Sequence, residues 1–232
     1  MNVVYTTLKS SRFSLQGFKL INSAEHFALE ETITQLMGEQ LLFEMLGRMF
    51  HANPSRDWVE PLVRDEIFAE IPFAANQADA RLGLALIEKW TDSIRGDLND
   101  TALRELRADF AQLFISNLSI PAPPWESVYF SETRQTFQQE TRDVRAYFER
   151  LGLQINSDSR EPEDHIAFEL TFIARCADLA IEASERQDNA AYAEFLSTQR
   201  EFLEHHLLRW GCKWAELVQS HARTDFYRGL AF

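Results

Sequence analysis

Apolar positions along the chain recur every three or four residues, and no stretch alternates over several residues with turn residues at both ends. The pattern therefore predicts helices and no sheet. Ile33, Leu36/Met37, Leu41, Met45 and Met49 form a first stripe ending near Asn53-Pro54, and a short helix carrying Trp58, Leu62 and Phe68 follows until Ile71-Pro72 breaks it. Leu82, Ala85/Leu86 and Trp90 mark the next helix. Asn99 or Asp100 can cap another bearing Leu103, Leu106, Phe110 and Leu113/Phe114. A helix predicted from about Ser131 turns Phe137, Val144, Phe148 and Leu151 inward and stops at Gly152. The run from Ile166 to Ile181 is apolar on two sides, with Ile166, Leu170, Ile173 and Ala177 on one and Phe168, Phe172 and Leu179 on the other, which predicts a central, buried helix. Tyr192, Phe195/Leu196, Leu203 and Trp210 define one further helix, and Trp214, Leu217/Val218 and His221 begin the last. The expected fold is all-α, a single globular domain of about eight helices. It is expected to span residues 25–232, after an N-terminal extension over residues 1–24 that contains Lys9, Arg12 and Lys19 but no acid.

Two segments interrupt this periodicity. Ser119-Ile120-Pro121-Ala122-Pro123-Pro124-Trp125 cannot be helical, because its prolines remove donors and restrict the residues before them. Glu161-Pro162-Glu163-Asp164-His165 stands just before the apolar run. Pro162 suits a first helical position, which would put Glu163 and Asp164 in the first turn, at the positive end of the helix dipole, with His165 at the helix mouth.

Composition narrows the chemistry. The chain has 232 residues with 45% hydrophobic and 25% charged, an ordinary globular balance, and only eight Gly and seven Pro, consistent with long helices. The formal net charge of −13 repels phosphate backbones and disfavours nucleic acid as a partner. A basic partner is easier to accommodate, although acidity also serves solubility alone. Cys176 and Cys212 are the two cysteines, with no CxxC, so neither a disulfide framework nor a zinc site is expected. Cys176 reads as a small core residue. No apolar run reaches the roughly 18 residues of a membrane span, and the N-terminus lacks the apolar core of a secretory signal.

Candidate sites are few. No Glu precedes a His by three residues, as a di-iron bundle requires, and the neighbours His205 and His206 point about 100° apart on a regular helix. No metal or other cofactor is expected. Asp164 and His165 are part of a hydrolytic triad in composition, but adjacent residues seldom bond side chain to side chain, and neither a nucleophile elbow nor a phosphate loop is present. Pro123, Pro124, Trp125, Val128 and Tyr129 offer a rigid amphipathic surface of the kind a peptide groove uses. The same residues would also suit a loop filling a gap in the core.

The interruptions occur in a particular order. Asp109-Phe110 and Leu113-Phe114, then Pro123-Pro124-Trp125-Glu126-Ser127-Val128-Tyr129, then Glu161-Pro162-Glu163-Asp164-His165 with Glu169-Leu170 closely resemble the TorD/DmsD family of redox-enzyme maturation chaperones. Leu46-Gly47-Arg48-Met49-Phe50 resembles its first helix; Phe202-Leu203, His206-Leu207, Trp210, Phe226-Tyr227 and Leu230-Ala231 resemble its closing helices. The resemblance covers about residue 36 to the end. It implies a non-catalytic cytoplasmic chaperone that binds the twin-arginine signal peptide, or the precursor body, of a molybdopterin oxidoreductase until its cofactor is loaded. It further implies a leader-binding site at Phe110, Leu113, Pro124, Trp125, Ser127, Tyr129, Asp164 and His165, with Glu161 and Pro162 beside them. Phe110 and Tyr129 stand where some members carry Trp, and the acid-free extension lies outside the family pattern. Either a monomer or a domain-swapped homodimer is compatible with it, and stable membrane insertion is not expected. In this reading Asp164 takes an arginine, or else only caps its helix, and His165 orders the loop or senses pH. The alternatives are an assembly adaptor of a respiratory complex and a small hydrolase using Asp164 and His165.

Overall fold

In the computed structural model, which describes residues 23–65, 67–71, 77–94, 97–115, 119–155 and 161–232, every regular element among the described residues is helical. The elements are α1 (Ser23–His51), α2 (Arg56–Arg64), a 3-10 turn (Ile67–Glu70), α3 (Ala78–Ser93), α4 (Asp100–Phe114), the single turn α5 (Ser127–Phe130), α6 (Gln139–Arg150), α7 (Ile166–Glu185), α8 (Asn189–Phe202), a π-helical segment (Leu203–Leu207), α9 (Leu208–His221) and α10 (Asp225–Leu230). The all-α expectation holds. Residues 1–22 of the expected extension lie outside the described residues, as does the polar stretch 156–160.

The two-sided apolar run becomes α7, the spine of the molecule. Phe172, Ile173, Cys176, Ala177, Ala180 and Ala183 are fully buried in it. Its alanines let neighbours approach closely, so α1 lies along one side and α8 along another. Burial pushes the Cys176 thiol up to about 12, the behaviour of a core residue and not of a reactive thiol. The largest core gathers Phe50, Trp90, Phe110, Leu113, Phe114, Trp210, Trp214, Phe226 and Tyr227 between α1, α3, α4, α9 and α10. Many of these rings meet edge to face, as Phe50 does with Trp214 at 4.7 Å between centroids. Asn99 caps α4 as the sequence predicts, accepting from the N–H groups of Thr101 and Ala102.

Three expectations are corrected. The helix placed from Ser131 begins at Gln139: the Ser131 hydroxyl accepts from Gln135 N–H at 3.2 Å and competes with a helical ladder, while Arg134 and Phe137 take positive φ of 54° and 61°. Phe137 is consequently 58% exposed instead of inward. The last break falls after His221, not between Trp210 and Trp214, because α8, the π segment and α9 follow one another without a loop. There the buried Asp109 carboxylate accepts from the N–H groups of Arg223 and Thr224 and from the Thr224 hydroxyl at 2.6 to 3.1 Å, fixing the turn into α10. Finally, Met37, Leu41 and Leu82 are exposed although their stripes predict burial; α1 turns Leu36 and Met49 inward instead.

The C-terminal helix depends on two glycines. A Cβ at Gly229 would meet the Gly83 carbonyl oxygen at 2.5 Å, and one at Gly83 would meet the Gly229 oxygen at the same distance. Both obstacles are backbone, so α3 and α10 would have to separate. Gly229→Ala is expected to destabilise the fold by about 1–3 kcal/mol through overpacking. Urea unfolding followed by circular dichroism checks this, and Gly152→Ala, where a Cβ meets no neighbouring atom within 4 Å, shares only the cost of its φ of +68°.

Candidate functional site

The two irregular segments meet. Glu126 N–H donates to the Asp164 carbonyl at 3.0 Å and Ile166 N–H to the Pro124 carbonyl at 2.8 Å, which makes Trp125 and His165 an antiparallel bridge. The proline loop suits this place because its residues leave few N–H groups to satisfy, while three successive carbonyls find donors. Ala122 O accepts from the Trp214 indole, Pro123 O from the Tyr129 hydroxyl and Pro124 O from Ile166.

Asp164 is at the centre of this junction and is 0% exposed. One carboxylate oxygen accepts from Ser127 N–H at 2.8 Å and the other from the Thr141 hydroxyl at 2.8 Å, tying α5 and α6 to the entry of α7. The expected first-turn position is corrected: α7 starts at Ile166, Glu163 and Asp164 form a turn before it, and the N-cap is His165. Its Nδ1 accepts from Ala167 N–H at 3.1 Å, so that nitrogen carries no proton. Burial, with His51 beside it, pushes His165 down to about 3. The imidazole is therefore a neutral cap, packed against Trp125, His51 and Phe168 with ring centroids 5.5 to 5.9 Å away. Asp164 and His165 bond to different partners, so they do not form a hydrolytic dyad. Nor can Asp164 receive an arginine while both of its oxygens are engaged inside the core.

The remaining expected site residues divide by exposure. Phe110 and Leu113 belong to the main core, and Pro124, Pro162 and Ser127 are buried. Tyr129 is partly buried against Trp210, and burial raises its hydroxyl above the usual phenol range. Trp125 and Glu161 reach the surface, with the indole N–H donating to Glu161 at 3.1 Å. Beside Trp125 opens a cavity of about 600 Å³, with Ile120, Pro123, Trp125 and Val128 on one wall and Arg134, Gln135 and Thr136 on the other.

Several members of this neighbourhood escape sequence reasoning. Thr141 carries no signal at all in a polar helix. Glu126 is fully buried, its Oε2 2.7 Å from His206 Nδ1 and its Oε1 3.8 Å from Arg209. Glu169, also fully buried, accepts from the Trp210 indole at 3.2 Å. Burial first and the nearby Glu126 second raise Glu169 well above the ordinary carboxylate range. Trp210 is therefore core, but polar core.

These shifts have opposite linkage. His165, depressed below 6.5, adds stability that is complete above that pH and is lost as pH falls toward 3. Glu169, raised above 4.5, adds stability that is complete below that pH and is lost as pH rises through its folded value. Glu169→Gln keeps an acceptor for Trp210 and removes the buried acid, so its melting temperature should gain on the parent chain as pH rises from 5 to 9. His165→Asn, which preserves a capping acceptor, should flatten the loss between pH 6.5 and 3. Melting curves across pH check both, and parallel curves for variant and parent would contradict them. Asp164→Ala should destabilise by about 2–4 kcal/mol, since it orphans the buried donors of Ser127 and Thr141.

Comparisons with known proteins agree with this architecture. A family model described as the nitrate reductase delta subunit matches residues 74–216. The chaperone protein TorD of Vibrio parahaemolyticus is 29% identical over 58% of this chain, and the chain spans 61% of that protein's length. TorD of Aliivibrio salmonicida is 26% identical, with 75% of this chain and 84% of that protein aligned. A solved structure from Archaeoglobus fulgidus, described as a candidate redox enzyme maturation protein, superposes with a TM-score of 0.50 at 18% identity, covering 83% of this chain and 88% of the other. Among the described residues no helix is long and apolar enough to cross a membrane.

Proposed function

We propose that this chain, which belongs to the nitrate reductase delta subunit family of TorD-type maturation chaperones, acts in the cytoplasm on the precursor of a molybdopterin oxidoreductase. It binds the twin-arginine signal peptide, and the precursor body where that is exposed, and holds the client until its cofactor is inserted. It does so by binding and not by catalysis.

The observation that carries this reading is the junction of the proline loop with the entry of α7, next to a cavity of peptide-binding size. A twin-arginine leader brings two guanidinium groups followed by an apolar stretch. The apolar wall of Ile120, Pro123, Trp125 and Val128 fits the second part. Glu161, at the edge of the Trp125 ring, fits the first: a carboxylate takes a guanidinium through paired, charge-assisted bonds and the indole face stacks on it. Burial holds the neighbouring His51 below its usual value, so at neutral pH its ring adds no repelling charge. Arg134, which also lines the cavity, repels a guanidinium, so the leader's arginines lie toward Glu161 and its apolar residues in the cavity. Asp164, His165, Ser127, Pro124 and Pro162 then hold the frame, Phe110 and Leu113 support it from the core, and Tyr129 braces the loop from below.

Fluorescence-anisotropy titration of a labelled twin-arginine leader tests the reading. Glu161→Gln and Trp125→Ala are each expected to weaken binding about tenfold, the worth of a hydrogen bond to a charged group or of a stacked cation, with unchanged circular dichroism. Raising NaCl from 50 to 500 mM should weaken the parent complex and have less effect on Glu161→Gln. Equal affinities for parent and both variants would overturn the assignment of these residues.

A further inference from the structure

A second cavity, of about 520 Å³, opens between α6 and the π segment and shares no lining residue with the first. It is lined by Asp143, Tyr147, Arg150, His205, His206 and Arg209. The adjacent His205 and His206 both line this hollow from the π-helical segment. On a chain of net charge −13 this is a local gathering of cationic and N–H donor groups.

Those groups are held in place but little used. The Arg209 guanidinium lies 4.3 Å above the Phe130 ring, donates one bond to the His205 carbonyl and stands 3.8 Å from Glu126 Oε1, which leaves donors of its fork to spare. Arg150 makes a single long contact, 3.4 Å, with Glu201, and both partners are more than 40% exposed, so the pair is weak and exchangeable. Each guanidinium has five N–H donors in a planar fork. The Tyr147 hydroxyl lies 3.3 Å from His205 Nδ1, which orients that ring. The acids nearby are already occupied: Asp143 accepts from Gln139 at 2.6 Å, and Glu126 is bound to His206 at the floor.

We infer that this cavity is an oxyanion-binding site, taking a phosphate or carboxylate group between Arg150, Arg209 and His205, with Tyr147 closing the rim. The ligand displaces Glu201 from Arg150 and leaves the Glu126–His206 bond intact. The volume admits more than a bare ion and matches a small organic molecule or one acidic side chain with its backbone. The site is separate from the leader cleft and does not depend on the leader reading.

Isothermal titration of the full chain at constant ionic strength, with pyrophosphate, citrate and an acetylated tri-glutamate peptide as probes, tests it. At least one probe is expected to bind with a submillimolar Kd, and Arg150→Gln and His205→Gln should each weaken that binding tenfold or more while leaving the ligand-free melting temperature unchanged. Binding of pyrophosphate or citrate without the peptide assigns a free small molecule; binding of the peptide without the others assigns a polypeptide carboxylate. Absence of binding by all three, or equal binding by parent and variants, would overturn the inference.

Discussion

The buried carboxylate of Asp164 is the constraint from which the rest of the site follows. It accepts from Ser127 and Thr141 at once, and its own backbone carbonyl accepts from Glu126. Three stretches far apart in sequence are thereby fixed: the proline loop with α5, the start of α6, and the entry to α7. A polar group fully removed from water is tolerable only when it is well hydrogen-bonded, and here the bonds come from groups that would otherwise be orphans. Losing the acid would release the loop, and the Trp125 ring and the cleft beside it would lose their fixed position.

Around that anchor the interior is unusually polar for an all-α core. Glu126, Asp164, Glu169 and His206 are all buried, between α5, the entry of α7 and the π segment. Burial, with the charge of neighbouring carboxylates after it, raises both Glu126 and Glu169, and Glu126 is met by His206 and Arg209. Such a network is costly to disturb and specifies one arrangement of loop against helices.

Much of this was legible in the sequence. The period of the apolar residues gave the helices, Asn99 gave a cap, and the two-sided run from Ile166 gave the spine. The ordered interruptions at Pro121–Trp125 and Glu161–His165 marked the two segments that meet, and Trp125 and Glu161 are where they reach the surface. What failed did so for identifiable reasons. Pro162 and the acids after it read as a helix start, but Glu163 and Asp164 form a separate turn, and the bridge to Trp125 leaves His165 extended as the cap. Phe137 read as inward because local hydroxyl bonds at Ser131 leave no trace in an apolar pattern. The partners of Asp164 and Glu126 come from other elements, Thr141 and His206, and no local signal names a tertiary partner. His205 and His206 line one cavity together from a π segment, which periodicity reasoning takes as regular helix.

The central claim is that a client's leader lies in the cleft between the proline loop and residues 134–136. Site-specific photo-crosslinking from that wall tests it most directly. With a photoreactive residue at Gln135 or at the exposed Glu88 on α3, incubation with a precursor carrying a twin-arginine leader should give a crosslink to the leader from position 135 and none from position 88. Crosslinking from Glu88 with none from Gln135 would contradict the account.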